Sequence, residues 1–428
     1  MNNIFQNDLT KVYIAGLNTG NDNKFSYEMQ ELENLCKACN YEVVGSIYQN
    51  IDAINPSTYF GSGKIREIKN ICLAENATIC ILNDELTPSQ LKNISNIFND
   101  ELVIMDRTML ILEIFEKRAQ TKEAKLQVLV AKLKYSMPRL IGIRNYMSRT
   151  TGGASTATRG AGETKLELDR RHIREQITKA EKELESLKKV RLTSRKARKN
   201  NNVPVVALVG YTNAGKSTIM NYFINNYRED KFKEKTVFEQ NMLFATLETS
   251  TRSIVLPNNH HFLLTDTVGF VSKLPHHLVE SFKSTLEEIC EADLLIHVVD
   301  ASSPFYEEQL LTTKNVLESL GATSIPTIVF YNKMDLVGCK ELLSLSSNDL
   351  QGSKLAEDSY QELTKKVDEE LFKNYSLVTF LIPYDKTAIY TNIKSHYEVI
   401  SDEFTNEGIL VKAYVDEKVI KAYHEYLK

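Results

Sequence analysis

No run of apolar residues in this chain approaches the roughly 18 needed to cross a bilayer. The segment MNNIFQNDLT at the N-terminus lacks the basic-then-apolar pattern of a secretory leader. The six cysteines (Cys36, Cys39, Cys72, Cys80, Cys290, Cys339) are scattered. Cys36 and Cys39 form a C-x-x-C, but no second pair completes a zinc site. Both fall in a helical pattern from Phe25 to Asn40 and read as core or surface thiols. These absences argue against a membrane span and a cysteine-rich metal module, and a cytoplasmic protein is expected. At 428 residues, 42% apolar and 25% charged, the composition predicts several soluble domains, each able to bury a core.

A large net charge is also missing, but the value of −4 hides a partition. Between Lys122 and Lys199 stand 21 Lys and Arg against 8 Asp and Glu, a net of +13, so the remaining residues carry −17. A basic middle within an acidic protein implies a polyanionic partner such as RNA, although a solvated lysine-rich helix is the plain alternative. The dense run is KKVRLTSRKARK, with Lys188, Lys189, Arg195, Lys196 and Arg198.

What is present begins with GYTNAGKST: Gly210, Tyr211, Thr212, Asn213, Ala214, Gly215, Lys216, Ser217, Thr218. It fits G-x-x-x-x-G-K-[ST] and follows a strand-like run, Val203 to Val209, the context a phosphate loop requires. Its glycines let backbone amides converge on phosphate oxygens, and the helix opening near Lys216 adds a positive dipole end. Lys216 is expected to reach the β- and γ-phosphates and Ser217 to ligate Mg²⁺. Asp266-Thr267-Val268-Gly269 ends a second apolar run, placing Asp266 to hold the Mg²⁺ shell through water and the Gly269 amide to sense the γ-phosphate. Asn332-Lys333-Met334-Asp335 ends a third. Asp335 would accept hydrogen bonds from guanine N–H groups, and the Lys333 stem would cover the ring. Three such motifs in order predict GTP binding.

Between the first two lies LFATLETSTR, where Thr246 is the pick for closing on Mg²⁺, with Thr249 and Thr251 as competitors. The last base-contact motif has only Gly352-Ser353-Lys354 as a candidate, after a polar stretch from Ser344 to Asp349. Phe270 occupies the place where Ras-like switch GTPases often carry a water-orienting Gln, so intrinsic hydrolysis is expected to be slow. Asn213 marks a candidate K⁺ site that would supply the missing positive charge; a simple loop cap is the alternative. His276 and His277 follow the Asp266 motif and read as packing or capping residues, with one of them orienting water as the alternative.

Along the chain, residues 1–120 alternate strands (Val12 to Leu17, Tyr41 to Ile47, Thr78 to Leu82, Leu102 to Met105) with helices and form a small α/β domain. Gly61-Ser62-Gly63-Lys64 opens one helix and reads as a structural turn, with a second nucleotide or phosphate site as the alternative. Residues 121–200 form a basic antiparallel helical hairpin, with stripes Leu126, Val130, Leu133, Met137, Leu140 and Leu166, Ile173, Ile177, Ala180, Leu184, Leu187. Its joining loop, Ser148 to Glu163, carries Arg149 and Arg159 and suits contact with a phosphate backbone. Residues 203–370 predict a doubly wound P-loop sheet, including a hairpin of strands near Leu243 to Leu247 and Ile254 to Leu256. Residues 375–428 predict a small α/β module: strand Leu377 to Ile382, helix Lys386 to Ile400, strand Gly408 to Val415, helix Glu417 to Tyr426.

With these motifs in place, the chain resembles the HflX family of translational GTPases. The most specific pieces are GYTNAGKST, LFATLETSTR, DTVGF followed by LPHHLVESFKSTLEEICEADLLIHVVDAS, NKMD, and TRGAGETKLELDRRHI. The resemblance covers nearly the whole chain. It implies an N-terminal α/β domain, a helical hairpin, a GTPase domain and, as in some members, a C-terminal domain. It also implies binding to the large ribosomal subunit and its rRNA and splitting of stalled or idle ribosomes, with the loop Ser148 to Glu163 inserted near the peptidyl-transferase region. The loop departs from the family's usual GGGIGTRGPGE, reading GGASTATRGAGE here. Two other readings stay open: an ATP-dependent RNA-remodelling enzyme using the Gly61 to Lys64 turn, and a non-catalytic ribosome anti-association or assembly factor with GTP as a structural ligand.

Overall fold

A computed structural model describes residues 9–20, 22–99, 101–140, 162–200, 203–227, 243–244, 250–273, 275, 278, 288–337 and 349–428. The chain divides into two compact units, neither continuous in sequence. The first comprises Met1–Thr193, Gln240–Glu248 and Val271–Ser284, the second Ser194–Glu239, Thr249–Phe270 and Thr285–Lys428.

The first unit is built on four parallel strands, β1 (Thr10–Asn18), β2 (Tyr41–Asn50), β3 (Ile79–Leu82) and β4 (Val103–Asp106), in the order β2-β1-β3-β4. Helices α1 (Asp22–Ala38), α2 (Ser62–Ala74) and α3 (Pro88–Phe98) connect them, and α4 (Arg107–Arg118) follows. Strands β3 and β4 are buried at every position, which is why they read as unbroken apolar runs. Local chemistry fixes the helix starts. Thr87 and Gln90 form a reciprocal capping box ahead of Pro88, and the Asp106 carboxylate caps α4 by accepting from the Met109 amide.

Helix α5 (Lys122–Ser136) follows, and then the long α6 (Gly162–Asn200), whose residues from Ser194 on belong to the second unit. Val130 and Leu133 pack on Ile173, Ile177 and Ala180, with Leu126, Met137, Leu140 and Leu184 at the margin. These are residues of the two apolar stripes, whose expected members Leu166 and Leu187 are not part of this cluster. Cys36 and Cys39 are fully buried, and burial pushes the Cys39 thiol up to about 12, so the pair is core packing. Gly61 precedes α2 without a side-chain cap, and Lys64 is paired with Glu67 at 2.8 Å.

The second unit holds six strands in the order β10-β9-β8-β5-β7-β6: β5 (Val205–Gly210), β6 (Ser250–Val255), β7 (His261–Asp266), β8 (Leu294–Asp300), β9 (Thr327–Asn332) and β10 (Asp349–Gln351). All neighbours are parallel except β6 with β7. Helices α7 (Lys216–Asn226), α8 (Tyr306–Leu320) and α9 (Glu357–Phe372) cover the sheet, and one core joins Leu208, Phe223, Phe262, Ile296, Phe330 and Leu363. This is the doubly wound sheet expected, with one correction. Ile254 lies in β6, which pairs antiparallel with β7 across a turn at residues 257–260, and residues 245–247 of the other expected strand lie outside the described residues. Leu243 and Phe244 lie in a turn and are buried in the first unit, where Phe244 meets Phe115 edge-on at 4.7 Å.

After α9 come β11 (Ser376–Ile382), α10 (Thr387–His396), β12 (Glu398–Thr405), β13 (Gly408–Val415) and α11 (Glu417–Ala422). The strands form an antiparallel sheet, β11-β13-β12. Here too the sequence reading needs correcting. The helix expected to reach Ile400 stops at His396, and β12 replaces its end and the loop beyond it. As an edge strand with a register shift after Val399 and with Ile400 and Phe404 exposed, β12 shows no clean alternation to read. Helix α11 is likewise shorter than expected. Among the described residues no helix is long and apolar enough to cross a membrane.

Candidate nucleotide site

Strand β5 delivers the phosphate loop and α7 carries it away. Gly210 has φ +145°, and a Cβ there would fall 2.2 Å from the Val298 carbonyl oxygen of the neighbouring β8. Gly215, at φ +101°, has Asn332 Nδ2 2.0 Å from where its Cβ would be. No side chain is compatible with either position, so both glycines are demanded by close approach. Between them Tyr211, Thr212 and Ala214 are buried, while Asn213 is exposed in the left-handed region at φ 61°.

Lys216 is buried at the first turn of α7. Its ammonium donates to the carbonyls of Gly210 at 3.0 Å and Tyr211 at 2.7 Å. Burial lowers its pKa to about 8, an effect opposed by the nearby Asp266 carboxylate. The Ser217 hydroxyl donates to Asp266 Oδ2 at 2.9 Å, which brings the two expected Mg²⁺ residues together. Thr218 is half-buried one residue on.

The turn after β7 lies across this loop. Thr212 N donates to the Phe270 carbonyl at 2.7 Å, Phe270 N donates to the Gly210 carbonyl at 3.2 Å, and the Thr267 hydroxyl donates to the Leu208 carbonyl at 2.7 Å. A Cβ at Gly269 would stand 2.8 Å from Thr212 Cα and 2.9 Å from Lys216 Nζ. The Phe270 ring is buried. Phe270 is therefore a backbone clamp between the two phosphate motifs, a role its side chain gave no hint of.

The base side is assembled at the ends of β8 and β9. Asn332 donates to the Ala214 carbonyl at 2.9 Å and accepts from the Tyr360 hydroxyl at 3.3 Å. Lys333, at φ 63°, places its ammonium 2.6 Å from Asp300 Oδ2. Asp335 is exposed in the short turn Met334–Leu336, with its carboxylate open to solvent. The Gly352 amide donates to the Tyr331 carbonyl at 2.8 Å and its carbonyl accepts from Met334 N at 3.1 Å, so Gly352-Ser353-Lys354 sits beside this tetrad. Ser353 is buried and its hydroxyl accepts from Leu355 N at 3.0 Å. Asp300 and Tyr360 escaped the sequence reading. A lone Asp ending VVD has no spacing signature, and Tyr360 comes from α9, far along the chain.

Thr246, Arg149, Arg159, His276 and His277 lie outside the described residues. So do the side chains of Arg195, Lys196 and Arg198, whose backbone is helical in α6. Lys188 is half-buried, and Lys189 is exposed and paired with Glu185 at 3.2 Å.

Residues 26–116 match the family described as GTP-binding GTPase N-terminal, residues 118–198 its Middle Region, and residues 205–333 the family described as 50S ribosome-binding GTPase. The chain is 46% identical to the GTPase HflX of Caldanaerobacter subterraneus, over 90% of its own length and 87% of the relative's. It is 38% identical to the GTPase HflX of Lacrimispora saccharolytica, over 96% and 94%. A crystal structure of SsGBP with GDP is similar at 26% identity and TM-score 0.48, covering 85% of this chain and 99% of the other. A phosphate loop backed by Asp266 and followed by N-K-M-D, on a chain this close to its relatives over nearly all its length, belongs to the HflX family of P-loop GTPases, enzymes that bind and hydrolyse GTP.

Proposed function

We propose that this GTPase engages the large ribosomal subunit from the cytoplasm, as a monomer, and uses GTP to dissociate stalled or idle ribosomes. The observation that carries the reading is the charge partition: +13 over residues 122–199 against −17 elsewhere. Its described residues include the helices α5 and α6, and a basic helical hairpin is a form suited to insertion among rRNA phosphates. Arg149, Arg159, Lys188, Lys189, Arg195, Lys196 and Arg198 are the proposed contacts. The description 50S ribosome-binding GTPase for the matching family supports the same partner.

In the proposed mechanism Gly210 to Thr218 cradles the phosphates, Lys216 exchanges its two carbonyl contacts for β- and γ-phosphate oxygens, and the Gly269 amide meets the γ-phosphate. Asp335 selects guanine, Lys333 covers the ring from its anchor on Asp300, and Ser353 completes the base pocket. The hydroxyl and carboxylate oxygens of Ser217 and Asp266, already 2.9 Å apart, are the hard donors Mg²⁺ prefers, and Thr246 would add a third. Bound there, Mg²⁺ would neutralise charge on the phosphates. Asn213, exposed beside them, is the proposed K⁺ ligand. A buried phenyl ring at Phe270 cannot order the attacking water, so ribosome contact is expected to complete the site.

The test is steady-state GTP hydrolysis with and without purified large subunits, in K⁺ and in Na⁺, with Lys216→Ala as control, alongside light scattering of intact ribosomes. Stimulation by subunits and a GTP-dependent fall in scattering, both lost in the variant, are expected. Unchanged hydrolysis would sink ribosome activation. Full splitting with hydrolysis blocked would favour the anti-association reading.

A further inference from the structure

The first unit carries a buried polar cluster that the nucleotide site does not account for. With strand order β2-β1-β3-β4, the connections leaving β1 and β3 run in opposite directions, the arrangement that places a crevice beyond the C-terminal ends of these two strands. Open α/β sheets usually bind their ligands there. The crevice is lined by Glu28 and Glu31 of α1, Asn83 and Asp84 after β3, and Arg107 at the start of α4. Glu28, Glu31, Asn83 and Arg107 are all buried. Carboxylates held so far from water need cations and donors beside them.

Arg107 supplies one cation. It donates to Glu31 and, at 2.9 Å, to Asn83 Oδ1. Lys273 supplies the other, its ammonium 2.6 Å from Glu28 Oε2 and 2.7 Å from Asp84 Oδ1. Ser272 donates to Glu31 and accepts from Arg107 Nη2 at 3.0 Å. Asn83 Nδ2 closes the ring by donating to Glu28 at 3.2 Å. Ser272 and Lys273 belong to the segment Val271–Ser284 that folds with this unit, and they are the third and fourth residues after Gly269.

We propose that this crevice is a receptor for a lysine ammonium, that Lys273 is its ligand, and that Glu28, Asp84 and Arg107 are positioning residues for the Asp266 to Gly269 turn. The turn is packed onto Thr212 and Lys216, and Lys216 is committed to carbonyls of its own loop. A γ-phosphate between the Lys216 ammonium and the Gly269 amide requires the turn to lift, which pulls on Ser272 and Lys273. GDP, having no γ-phosphate, makes no such demand. Seating Lys273 therefore opposes GTP more than GDP, a coupling of the size that separates nucleotide states in switches.

The experiment measures affinities of the full-length protein for a non-hydrolysable GTP analogue and for GDP. In Lys273→Ala, a substitution at a partly exposed side chain, the analogue is expected to bind about 5–10-fold tighter, at the low end of such couplings, with GDP unchanged. Asp84→Asn should act the same way, Lys273→Met, which keeps the stem and loses only the charge, should match Lys273→Ala, and Lys273→Arg should keep the wild-type ratio, a pattern a merely structural role would not give. Wild-type analogue affinity in Lys273→Ala, equal shifts for both nucleotides, or a wild-type ratio in Lys273→Met would each overturn the proposal. Because only free protein and nucleotide are used, the result does not depend on ribosome engagement.

Discussion

Asn332 reaches across from the end of β9 and donates its side-chain amide to the carbonyl of Ala214, 2.9 Å away in the phosphate loop. The N-K-M-D tetrad and the loop are thereby one piece. In Asn332→Ala the Ala214 carbonyl loses its donor, and the tetrad is no longer fastened. Guanosine and inosine nucleotides should weaken alike, by about 10-fold or more, because a lost buried hydrogen bond costs about 1–3 kcal/mol. Competition against a fluorescent nucleotide reads both, and a loss confined to guanosine would assign Asn332 to the base alone.

Asp335→Asn is expected to behave differently. Its carboxylate accepts from two guanine donors in the proposed pocket, and an amide presents a mismatched N–H. GTP affinity should fall by about 10⁴-fold, since a polar base edge left unpaired in its pocket is strongly rejected. Xanthosine triphosphate, which offers an acceptor in place of the exocyclic amine, should gain. Equal losses for both nucleotides would show that Asp335 does not read the base.

The burial of Lys216 makes nucleotide binding pH-dependent. Its pKa is about 8 in the free protein, and phosphate anions beside the ammonium raise it. Well below pH 8, at about pH 6.5, the group is charged in both states and binding takes up no proton through it. Above pH 8, the free form is largely neutral and the bound form charged, so binding takes up as much as one proton and affinity falls as pH rises. Calorimetry at pH 8.5 in buffers of different ionisation enthalpy measures this uptake directly. The uptake should vanish in Lys216→Met.

Gly269→Ala introduces a methyl group 2.8 Å from Thr212 Cα and 2.9 Å from Lys216 Nζ. Backbone on one side cannot yield, so the turn is displaced. Hydrolysis should fall by about 10²-fold or more, the usual effect of removing one donor to a developing charge. GDP affinity should change less than threefold. Single-turnover hydrolysis and GDP titration separate the two, and an active variant would remove the Gly269 amide from the mechanism.

The parts of the molecule that could be read in advance are those whose physics is local. Buried parallel strands such as β3, β4 and β8 are continuous apolar runs, and the phosphate loop is a fixed spacing of glycines and a lysine. The stripes on α5 and α6 are periodic because each faces the other. What escaped depends on distant partners. Leu243 and Phe244 look like the start of a strand, yet their apolar surface is spent on the first unit. Edge strand β12 has one side in solvent and loses its alternation. The Lys333–Asp300 pair and the Asn332–Ala214 contact join segments that no spacing rule connects.

Arg107 and Ser272 stand 165 residues apart in the chain. At the usual 5–20 residues per second of synthesis, about 8 to 33 seconds pass between the appearance of one and of the other. Through that interval the Glu31, Asn83 and Arg107 cluster lacks its last hydroxyl and Glu28 and Asp84 lack their ammonium. The N-terminal sheet therefore leaves the ribosome in an unfinished form, and completes its own interior only after the phosphate loop and the Asp266 turn have been made.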